Sequence, residues 1–501
     1  MNKPIITIVV PTYKRPLLLR RCLGSISGQS HKSFEVIVVD NDGKDSSVKQ
    51  AVEDCQDMRF KYICQPVSGV SAARNKGIEL AKSDLVLFVD DDDEIESEML
   101  IELIKFMSDE SQERLSFTWC GVKKLAVDSK QNKLECREFK VSEADLIDMS
   151  FITKIGSGGL CVRRDDLFEV GCFDESYNLS EDRDLILKLI EAGKKYKPLH
   201  KLLYKRYYHS GARLSEGFHS LIEAEHDYKL YYEHLNFIVA HPELRLRLLD
   251  IRAKHYYLGG ELEKAIDVEL HALQLRPFRM KTLRRLALYY MKAKFSSSNK
   301  KLTFNSSAQY WQDRYKVGKN SGVGSYGIFA EFKAVVLNGF VKKEKITTVI
   351  EFGSGDGNQL YLAKYNDYTG YDVSDVAVDL CKDRFHDDPS KHFYSLNEYA
   401  GETAELSLSL DVIYHLVEDS VFEAYMNRLF NAATKYVIIY SSNKVENTDG
   451  KVTHVRHRKF TDWVESHIEG FTLAEHIPNK YPYQGNYKTG SFADFYIYKK
   501  K

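Results

Sequence analysis

The 501-residue sequence has no excess of charge of either sign, since 71 Lys and Arg stand against 72 Asp and Glu. Without a general positive charge, the chain is not expected to bind nucleic acid by neutralising many phosphates. With only 10 Pro and 29 Gly, it is neither collagen-like nor of low complexity. Its 43% hydrophobic and 29% charged residues are typical of globular domains, and its length favours about two to four of them.

Cysteine pairs and long apolar runs are also missing. The eight cysteines form no Cys-x-x-Cys pair and no Cys/His cluster with zinc spacing, which predicts reduced core thiols in a cytosolic protein. The apolar stretch before Pro11 is too short for a secretory signal, and no apolar run reaches the roughly 18–20 residues that cross a bilayer. We therefore expect a cytoplasmic protein without a transmembrane segment, attached at most to the inner face of the membrane.

The first 90 residues alternate short Val/Ile/Leu runs with amphipathic segments. This alternation predicts a parallel sheet with helices on both faces, with strands at 5–10, 34–39 and 85–89. Ligands of such sheets bind beyond the carboxyl ends of the strands. Polar residues follow these strands at 11–13, 40–42 and 90–93, so we expect a binding site there.

Four consecutive aspartates, residues 90–93, follow the third of these strands. Adjacent like charges repel, and a divalent cation would relieve the repulsion, because carboxylate oxygens are ligands that Mn²⁺ or Mg²⁺ prefers. The alternative is an acidic turn that caps a helix beginning near Glu94. The spacing alone leaves both interpretations open.

The order of four motifs favours the metal site. They lie at residues 11–15, 38–43, 73–77 and 88–93. Together they resemble the inverting family-two glycosyltransferases of the GT-A fold, over about residues 4–215. The resemblance implies a Rossmann-like α/β domain that transfers a sugar from a nucleotide-sugar donor, with UDP favoured. Asn41 and Lys44 depart from the family's commoner Asp-Asp-Gly-Ser and leave the nucleotide open.

The resemblance also implies roles for single residues. The nucleotide sugar would be bound by Thr12, Tyr13, Arg15, Asp40, Arg74, Asp90 and Asp91. The metal would be held by Asp92, with His209 near the metal and the diphosphate. Asp182 would be the general base and Glu181 would support it, whereas the structural alternative is an N-terminal capping box starting at Ser180. Residues 156–159 would form a loop that precedes the acceptor site.

Strand patterns disappear between about residues 216 and 300, which predicts a helical connector. Residues 276–294 contain seven basic side chains and no acidic one, with Leu and Tyr among them. This segment is either a solvated helix face or domain contact, which we favour, or a peripheral contact with an anionic membrane. Residues 296–301 are typical of a linker.

A second α/β pattern follows the linker, with strands at 347–352, 368–373, 406–413 and 436–440. Closely spaced glycines after its first strand indicate a loop that lets the backbone approach a ligand and turn into a helix. A dinucleotide fingerprint would need Gly at position 358, where the chain has Asn. The pattern instead resembles class I S-adenosylmethionine-dependent methyltransferases, which implies a Rossmann-like C-terminal domain.

This resemblance implies a second set of site residues. S-adenosylmethionine would be bound by Glu351, Gly353, Ser354, Gly355, Asp372, Val373, Asn397 and Asp411, with Asp372 accepting from the ribose hydroxyls. The first candidate for a catalytic base is His415, and His454 and His457 are others. Residues 310–315 and 321–327 would form a lid, with plain packing as the alternative.

The sequence therefore predicts a bifunctional enzyme with a transferase domain at 1–215, a connector at 216–300 and a methyltransferase domain at 301–501. It would add a sugar to a glycan or lipid-linked oligosaccharide and then O-methylate the glycan, in the assembly of a bacterial surface polysaccharide such as O-antigen or capsule. In one alternative the methyltransferase acts on a lipid carrier, a phosphate or a small molecule. In another, one half is a non-catalytic glycan-binding module.

Overall fold

The computed structural model describes residues 3–42, 46–65, 69–109, 113–128, 133–177, 179–208, 220–294, 304–445, 454–487 and 489–501. The chain forms two compact units, Met1–Ala265 and Ile266–Lys501. Within the described ranges, none of the helices combines the length and the hydropathy that crossing a bilayer requires. The three-part division at residues 215 and 300 stays a prediction.

The first unit contains one mixed sheet. Its strands are β1 (Ile6–Thr12), β2 (Phe34–Asp40), β3 (Phe60–Cys64), β4 (Leu85–Phe88), β5 (Glu94–Ile95), β6 (Phe117–Asp128), β7 (Lys133–Phe139), β8 (Leu160–Arg163) and β9 (Tyr196–Tyr208). They lie in the order β3-β2-β1-β4-β8-β6-β9-β5, with β7 paired to β6. The first four are parallel, and Thr12 lies opposite Asp40 at their carboxyl ends. This arrangement fits the predicted GT-A domain.

The parallel strands are unbroken apolar runs because helices cover both faces of the sheet. These helices include α1 (Pro16–Ser27), α2 (Ser46–Glu53), α3 (Val70–Leu80) and α4 (Met99–Met107). Every residue of β1 and β2 is buried, as expected for strands covered on both sides. A Cβ on Gly77 of α3 would lie 2.3 Å from Cγ1 of Val9, so glycine permits the close packing of α3 on β1.

Further helices of this unit come later in the chain. They are α5 (Glu143–Ile147), α6 (Arg164–Glu169), α7 (Glu181–Glu191), α8 (Ser220–Glu233), α9 (Leu235–Ala240) and α10 (Pro242–Leu258). Helix α11 (Leu262–Leu275) crosses the boundary between the units, and α12 (Met280–Lys294) belongs to the second. The stretch without a strand pattern is thus helical where the structure describes it, and α8 to α10 belong to the compact unit that contains the first sheet.

The second unit contains a sheet of β10 (Thr348–Phe352), β11 (Asp367–Asp372), β12 (Lys391–Ser395), β13 (Ala404–Leu410), β14 (Ala433–Ser441), β15 (Phe471–Ile477) and β16 (Asp494–Lys500). The strand order is β12-β11-β10-β13-β14-β16-β15, with β16 antiparallel to both neighbours. The first five strands are parallel and follow the third-second-first-fourth-fifth order of doubly wound nucleotide-binding sheets. The order of the strands changes direction between β10 and β13, and such sheets bind ligands at this point.

The helices of the second sheet are α13 (Ser307–Lys316), α14 (Gly327–Glu344), α15 (Asp375–Arg384), α16 (Asp419–Asn431) and α17 (Phe460–His467). The glycine loop after β10 leads only into a short 3₁₀ turn at Leu360–Leu362, not into the α-helix that the sequence predicts.

All eight cysteines lie in the described ranges and are free thiols. Cys22, Cys120, Cys161 and Cys381 are buried, as predicted. The prediction of core thiols is wrong for Cys64 and Cys136, which are exposed, because the sequence pattern does not show on which side of a strand a cysteine lies.

Candidate functional site

The four-aspartate segment lies beside the carboxyl end of β1. Thr12 Oγ1 donates a hydrogen bond to Oδ2 of Asp91 at 2.7 Å. Arg15 Nη1 lies 3.4 Å from Oδ1 of Asp91 and 3.4 Å from Oδ2 of Asp92. Glu94 begins strand β5, and α4 begins only at Met99, so the interpretation of the aspartates as a helix cap is wrong.

Arg74 connects the aspartates to the beginning of α7. Its Nη2 donates to Oδ1 of Asp90 at 3.1 Å, and its Nη1 donates to Oε1 of Glu181 at 2.8 Å. The side chain is buried, so both ion pairs lie largely out of contact with solvent. Three residues that the sequence assigns to the donor site and the base are thereby brought together.

The first turn of α7 carries Glu181 and Asp182. Ser180, which precedes it, has a φ of 68° and makes no side-chain capping hydrogen bond, so the capping-box interpretation is wrong. A positive φ is costly for serine and is found where surrounding structure enforces it. Asp182 is half-buried, and its Oδ1 accepts a hydrogen bond from the Arg183 amide at 2.8 Å.

The loop at residues 156–159 lies close to both Asp90 and Asp182. A Cβ on Gly156 would lie 2.9 Å from Oδ2 of Asp182. A Cβ on Gly158 would lie 2.7 Å from Oη of Tyr204 and 3.1 Å from Oδ2 of Asp90. Only glycine fits at these two positions without displacing the carboxylates or Tyr204, and the predicted acceptor loop therefore lies against both Asp90 and Asp182.

Asp40 lies at the end of β2 and is buried. Its Oδ2 accepts a hydrogen bond from Oη of Tyr62 at 2.8 Å, and its Oδ1 accepts one from the Asp42 amide at 3.0 Å. Tyr13, in contrast, has a 47% exposed side chain at the end of β1, with the Lys14 ammonium 4.9 Å from its ring. The structure places Tyr13 at the edge of the site and Asp40 inside it.

Several carboxyl groups are crowded in this site, and their pKa values are raised. Burial raises the pKa of Asp91 to about 7, against the opposing effects of the Thr12 hydroxyl and Arg15. Burial and the neighbouring Asp90 and Asp92 charges raise the pKa of Asp93 to about 7 as well. Burial and Asp182 raise the pKa of Glu181, although Arg74 acts in the opposite direction. The ionised forms are thus disfavoured unless additional positive charge enters the site.

A divalent cation fits the side chains present. Asp90 and Asp92 offer carboxylate oxygens, the ligand type that Mg²⁺ and Mn²⁺ prefer. Among the residues that the structure describes, no group of three or more His, Cys, Asp or Glu side chains could hold an ion by itself. A cation bound here would need further ligands, such as diphosphate oxygens. His209, the other predicted metal-site residue, lies outside the described residues.

A second candidate site surrounds the glycine loop after β10. Gly353, Gly355 and Gly357 have φ values of 95°, 61° and 73°. The amide of Gly353 donates to the Tyr371 carbonyl at 2.7 Å, which ties the loop to β11. A Cβ on Gly355 would lie 2.5 Å from Oγ of Ser321. Both the backbone conformation and the close approach require glycine here.

Asp372 stands at the carboxyl end of β11 and orders this loop. Its Oδ2 accepts from the Gly355 amide and its Oδ1 from the Ser374 amide, each at 2.9 Å. Burial raises its pKa to about 6. Each carboxylate oxygen can accept more than one hydrogen bond, so further donors such as ribose hydroxyls fit. Val373, next along the chain, is 41% exposed.

Two other predicted cofactor residues are buried near the loop. Glu351 accepts a hydrogen bond from Oη of Tyr368 at 2.7 Å, and burial raises its pKa to about 7. Ser354 is buried, and its Oγ has no hydrogen-bond partner among the described atoms. Asn397 lies in the turn after β12 with an exposed side chain. The first two residues thus pack within the site, whereas Asn397 lies at its surface.

The segment predicted to be a lid lies on the glycine loop. The Ser321 amide and Oη of Tyr326 donate to Oδ2 of Asp356, at 2.8 and 2.7 Å. In return, the Asp356 amide donates to Oγ of Ser321 at 2.9 Å. Nδ2 of Asn358 donates to the Ser325 carbonyl at 2.6 Å. These reciprocal bonds hold the segment over the loop.

Asp411 and His415 follow β13. Asp411 has a φ of 62°, and its carboxylate accepts from Nζ of Lys333 at 2.7 Å and from Oη of Tyr414 at 2.8 Å. Nδ1 of His415 donates to the His454 carbonyl at 3.0 Å, which leaves the lone pair on Nε2. Burial lowers the pKa of His415 to about 4, so the ring is neutral at pH 7 and able to accept a proton.

Comparison with known proteins concerns the part of the chain that contains the four aspartates. Residues 7–159 match the protein-family model for glycosyl transferase family 2. The N-terminal region is a family-two glycosyltransferase domain. The match ends before Glu181 and Asp182, so the roles of these two residues are not part of it.

Two bacterial relatives resemble the family-two domain. EpsH of Bacillus subtilis strain 168 is 35% identical over 112 residues, which are 22% of this chain and 33% of EpsH. EpsJ of the same organism, an uncharacterised glycosyltransferase, is 27% identical over 282 residues, 54% of this chain and 76% of EpsJ. This chain therefore spans only about a third of EpsH.

Among solved structures, TarS 1–349 of S. aureus in complex with UDP-GlcNAc aligns with 60% of this chain and 95% of its own. The sequence identity is 18% and the TM-score is 0.39. A TM-score at this level does not support an argument about fold or ligand.

Three side chains that contact predicted site residues were not identified from the sequence. Tyr204 is fully buried, and its Oη accepts from the Asp90 amide at 3.2 Å. Tyr62, on the neighbouring strand β3, donates a hydrogen bond to Asp40. Lys333 in the second unit, also fully buried, pairs with Asp411. Of these three residues, only Lys333 could have been suspected from the sequence, because it is a single basic residue in the mostly apolar first half of α14.

Helix α8 contacts helix α7, which carries the predicted base Asp182. Asp227 of α8 is buried and lies 3.3 Å from Nη1 of Arg183. His234, at the end of α8, lies 3.0 Å from Oδ1 of Asp184 and 2.7 Å from Oε2 of Glu191. Carboxylates only accept hydrogen bonds, so both ring nitrogens are donors and the ring is an imidazolium.

We expect His234→Gln to destabilise the protein more at low pH than at high pH. Burial lowers the pKa of His234, but its bonds with Asp184 and Glu191 outweigh burial and raise the pKa above 6.5. The bound proton therefore stabilises the folded state below pH 6.5, and this contribution is lost as pH rises through the raised pKa. Urea unfolding should give a difference from wild type of about 1–2 kcal/mol below that pH and a smaller one well above it.

Exposed His200 provides the control for this experiment, because His200→Gln removes an imidazole from the same unit without breaking a buried ion pair. A stability difference for His234→Gln that does not change with pH would contradict the imidazolium assignment.

Proposed function

We propose that the N-terminal domain is an inverting glycosyltransferase that transfers a sugar from a nucleotide-sugar donor, with UDP favoured, to a glycan in bacterial polysaccharide biosynthesis. The observation that carries this proposal is the buried Arg74 bridge between Asp90 and Glu181, with Asp182 at the next position. The family-two match over residues 7–159 supports the activity.

The side chains have complementary roles in this proposal. Asp182 accepts the proton of the acceptor hydroxyl, whose oxygen forms the new bond to the anomeric carbon. The bond from that carbon to the donor diphosphate breaks on the opposite face. Thr12 and Asp40, fixed by Asp91 and Tyr62, bind the nucleoside. A divalent cation held by Asp90 and Asp92 supplies positive charge toward the departing diphosphate.

UDP should raise the melting temperature of the wild-type protein only when Mn²⁺ is present. Ligand at about one hundred times its dissociation constant adds about 2.7 kcal/mol of stability, which a thermal scan detects. Asp92→Ala should lose this shift, because the cation then lacks its predicted direct ligand. The matched control is Asp84→Ala, which removes an exposed carboxylate before the opposite end of β4.

A UDP shift that persists without metal and in Asp92→Ala would contradict the metal role. No shift with UDP, GDP, dTDP or CMP in the presence of Mn²⁺ would contradict the donor site itself. The Asp84 control separates both outcomes from a general effect of removing negative charge from this domain.

We propose further that the second unit binds S-adenosylmethionine and O-methylates the glycan. The strand order of the second sheet, the three glycines with positive φ and the buried Asp372 support this proposal. Bound S-adenosylmethionine supplies an electrophilic methyl group. Asp372 holds the ribose hydroxyls, and Nε2 of His415 accepts the proton of the acceptor hydroxyl.

Glycan methylation is the form of the proposal that we favour, because both units belong to one chain and can act in succession on one product. The acceptor of both reactions would be a glycan or a lipid-linked oligosaccharide. In the alternative, the methyl group goes to a lipid carrier, a phosphate or a small molecule, and mass and linkage analysis of the methylated product distinguishes the two.

A further inference from the structure

The helix α12 has one face packed inward and another exposed. Thr282, Leu286 and Tyr289, spaced at i, i+4 and i+7, are buried. The opposite side carries large apolar side chains that are exposed. They are Met280 at 60%, Leu283 at 37%, Leu288 at 41%, Tyr290 at 44% and Met291 at 57%, and Phe278 just before the helix is 90% exposed. We call these six residues, together with Lys281, Arg284 and Lys292, the basic–apolar face.

Helical spacing orders this face into stripes. Met280, Arg284, Leu288 and Met291 follow one another at intervals of four, four and three residues and share one line along the helix. At 100° per residue, Leu283 and Tyr290 flank this line on one side, and the basic Lys281 and Lys292 flank it on the other. The face thus combines large apolar side chains with Arg284 among them and with lysines along one edge, a mixture found in helices that lie in a membrane interface.

The charge of the segment has one sign. Residues 276–294 contain seven basic side chains and no acidic one. Arg285 is directed inward, with its Nη1 3.0 Å from Oε1 of Glu269. Arg276, Lys281, Arg284 and Lys292 are exposed. This charge complements an anionic surface, and the wide apolar stripe distinguishes that surface from a purely phosphate-based partner.

We propose that the basic–apolar face docks the protein onto an anionic lipid bilayer, with the α12 axis parallel to the membrane plane. Phe278, Met280 and Met291 enter the boundary between headgroups and acyl chains, and Arg284 contacts lipid phosphates. The helix lies on the membrane and does not cross it, since α12 has 15 residues. This docking does not depend on either transfer reaction and brings the enzyme to lipid-linked acceptors.

The test is co-sedimentation of the full chain with two kinds of vesicle. One contains phosphatidylcholine alone, and the other contains phosphatidylcholine mixed with phosphatidylglycerol. The wild-type protein should bind the anionic vesicles at least about tenfold more tightly, and added salt should weaken this binding. Equal binding to both vesicles, or binding to neither, would overturn the proposal.

Two variants separate the electrostatic and apolar parts. Arg284→Glu should weaken binding to anionic vesicles by about thirtyfold, because it changes two charges at the surface. Lys342→Glu is the matched control, since Lys342 is an exposed lysine of α14 and its replacement makes the same change in charge. Equal losses for the two variants would show that only net charge matters and would overturn the assignment to this face.

The apolar part is tested with Phe278→Ser, which should weaken binding about tenfold or more even at raised salt. Phe278 is 90% exposed, so the substitution removes no core contact, and an unchanged unfolding curve verifies this. Unchanged vesicle binding would overturn insertion of the apolar stripe, because electrostatic adsorption does not require Phe278.

Discussion

Asp182→Asn is expected to lower kcat for sugar transfer by about 10²–10⁴-fold while UDP binding with Mn²⁺ stays nearly unchanged. The amide has the shape of the carboxylate but cannot take the proton of the acceptor hydroxyl, and loss of a general base has an effect of this size. Asp182 lies next to Glu181, which Arg74 binds, and beside the loop position Gly156. The measurement combines mass-spectrometric detection of product with the UDP-dependent melting temperature.

Asp165→Asn is the control, because Asp165 is an exposed acidic residue in the first turn of another helix of the same domain. It should retain wild-type activity. Glu181→Gln should weaken donor binding as well as turnover, since it removes the negative charge that pairs with Arg74. Full activity of Asp182→Asn together with an inactive Glu181→Gln that still binds UDP would move the base to Glu181.

Gly355→Ala is expected to weaken S-adenosylmethionine binding by about a hundredfold or more. The residue has a φ of 61°, which an L side chain tolerates poorly, and its Cβ would lie 2.5 Å from Oγ of Ser321 and 3.2 Å from Oη of Tyr315. Left-handed backbone alone costs alanine about 1–2 kcal/mol, and the contact with Ser321 displaces the loop further. Isothermal titration calorimetry of the full chain measures the loss.

A second variant keeps this prediction testable if Gly355→Ala disturbs folding. Asp372→Asn keeps the shape of the side chain but presents an amide to the Gly355 or Ser374 N–H, and it should weaken binding by about 10–100-fold. Gly401→Ala is the control, because Gly401 has a φ of 110° and no atom within 4 Å of the added Cβ. Wild-type affinity in Asp372→Asn would contradict the proposed cofactor site.

The sequence determined the strands and the edge at which each site lies. Unbroken Val/Ile runs can only be buried on both faces, and parallel strands bring their carboxyl ends to one edge. Thr12, Asp40 and Asp90 therefore had to lie near one another. The glycines at 353, 355 and 357 indicated a tight loop, and the structure adds that all three have a positive φ.

Local patterns could not exclude the two capping interpretations. Acidic residues after Ser180 or before Glu94 have the same sequence pattern whether they cap a helix or form a site. Ser180 has a left-handed backbone and makes no side-chain capping bond, and α4 begins only at Met99, so neither predicted cap forms. Only the folded chain distinguishes these cases.

The tertiary structure alone decided which side chains became partners. Arg74 and Glu181 are 107 positions apart in the chain, and Lys333 and Asp411 are 78 apart. Sequence periodicity describes which face of an element is buried over a few turns, but it carries no information about the neighbour on another element. The packing of α3 against α7 and of α14 against the end of β13 brings these charged side chains together at the two proposed sites.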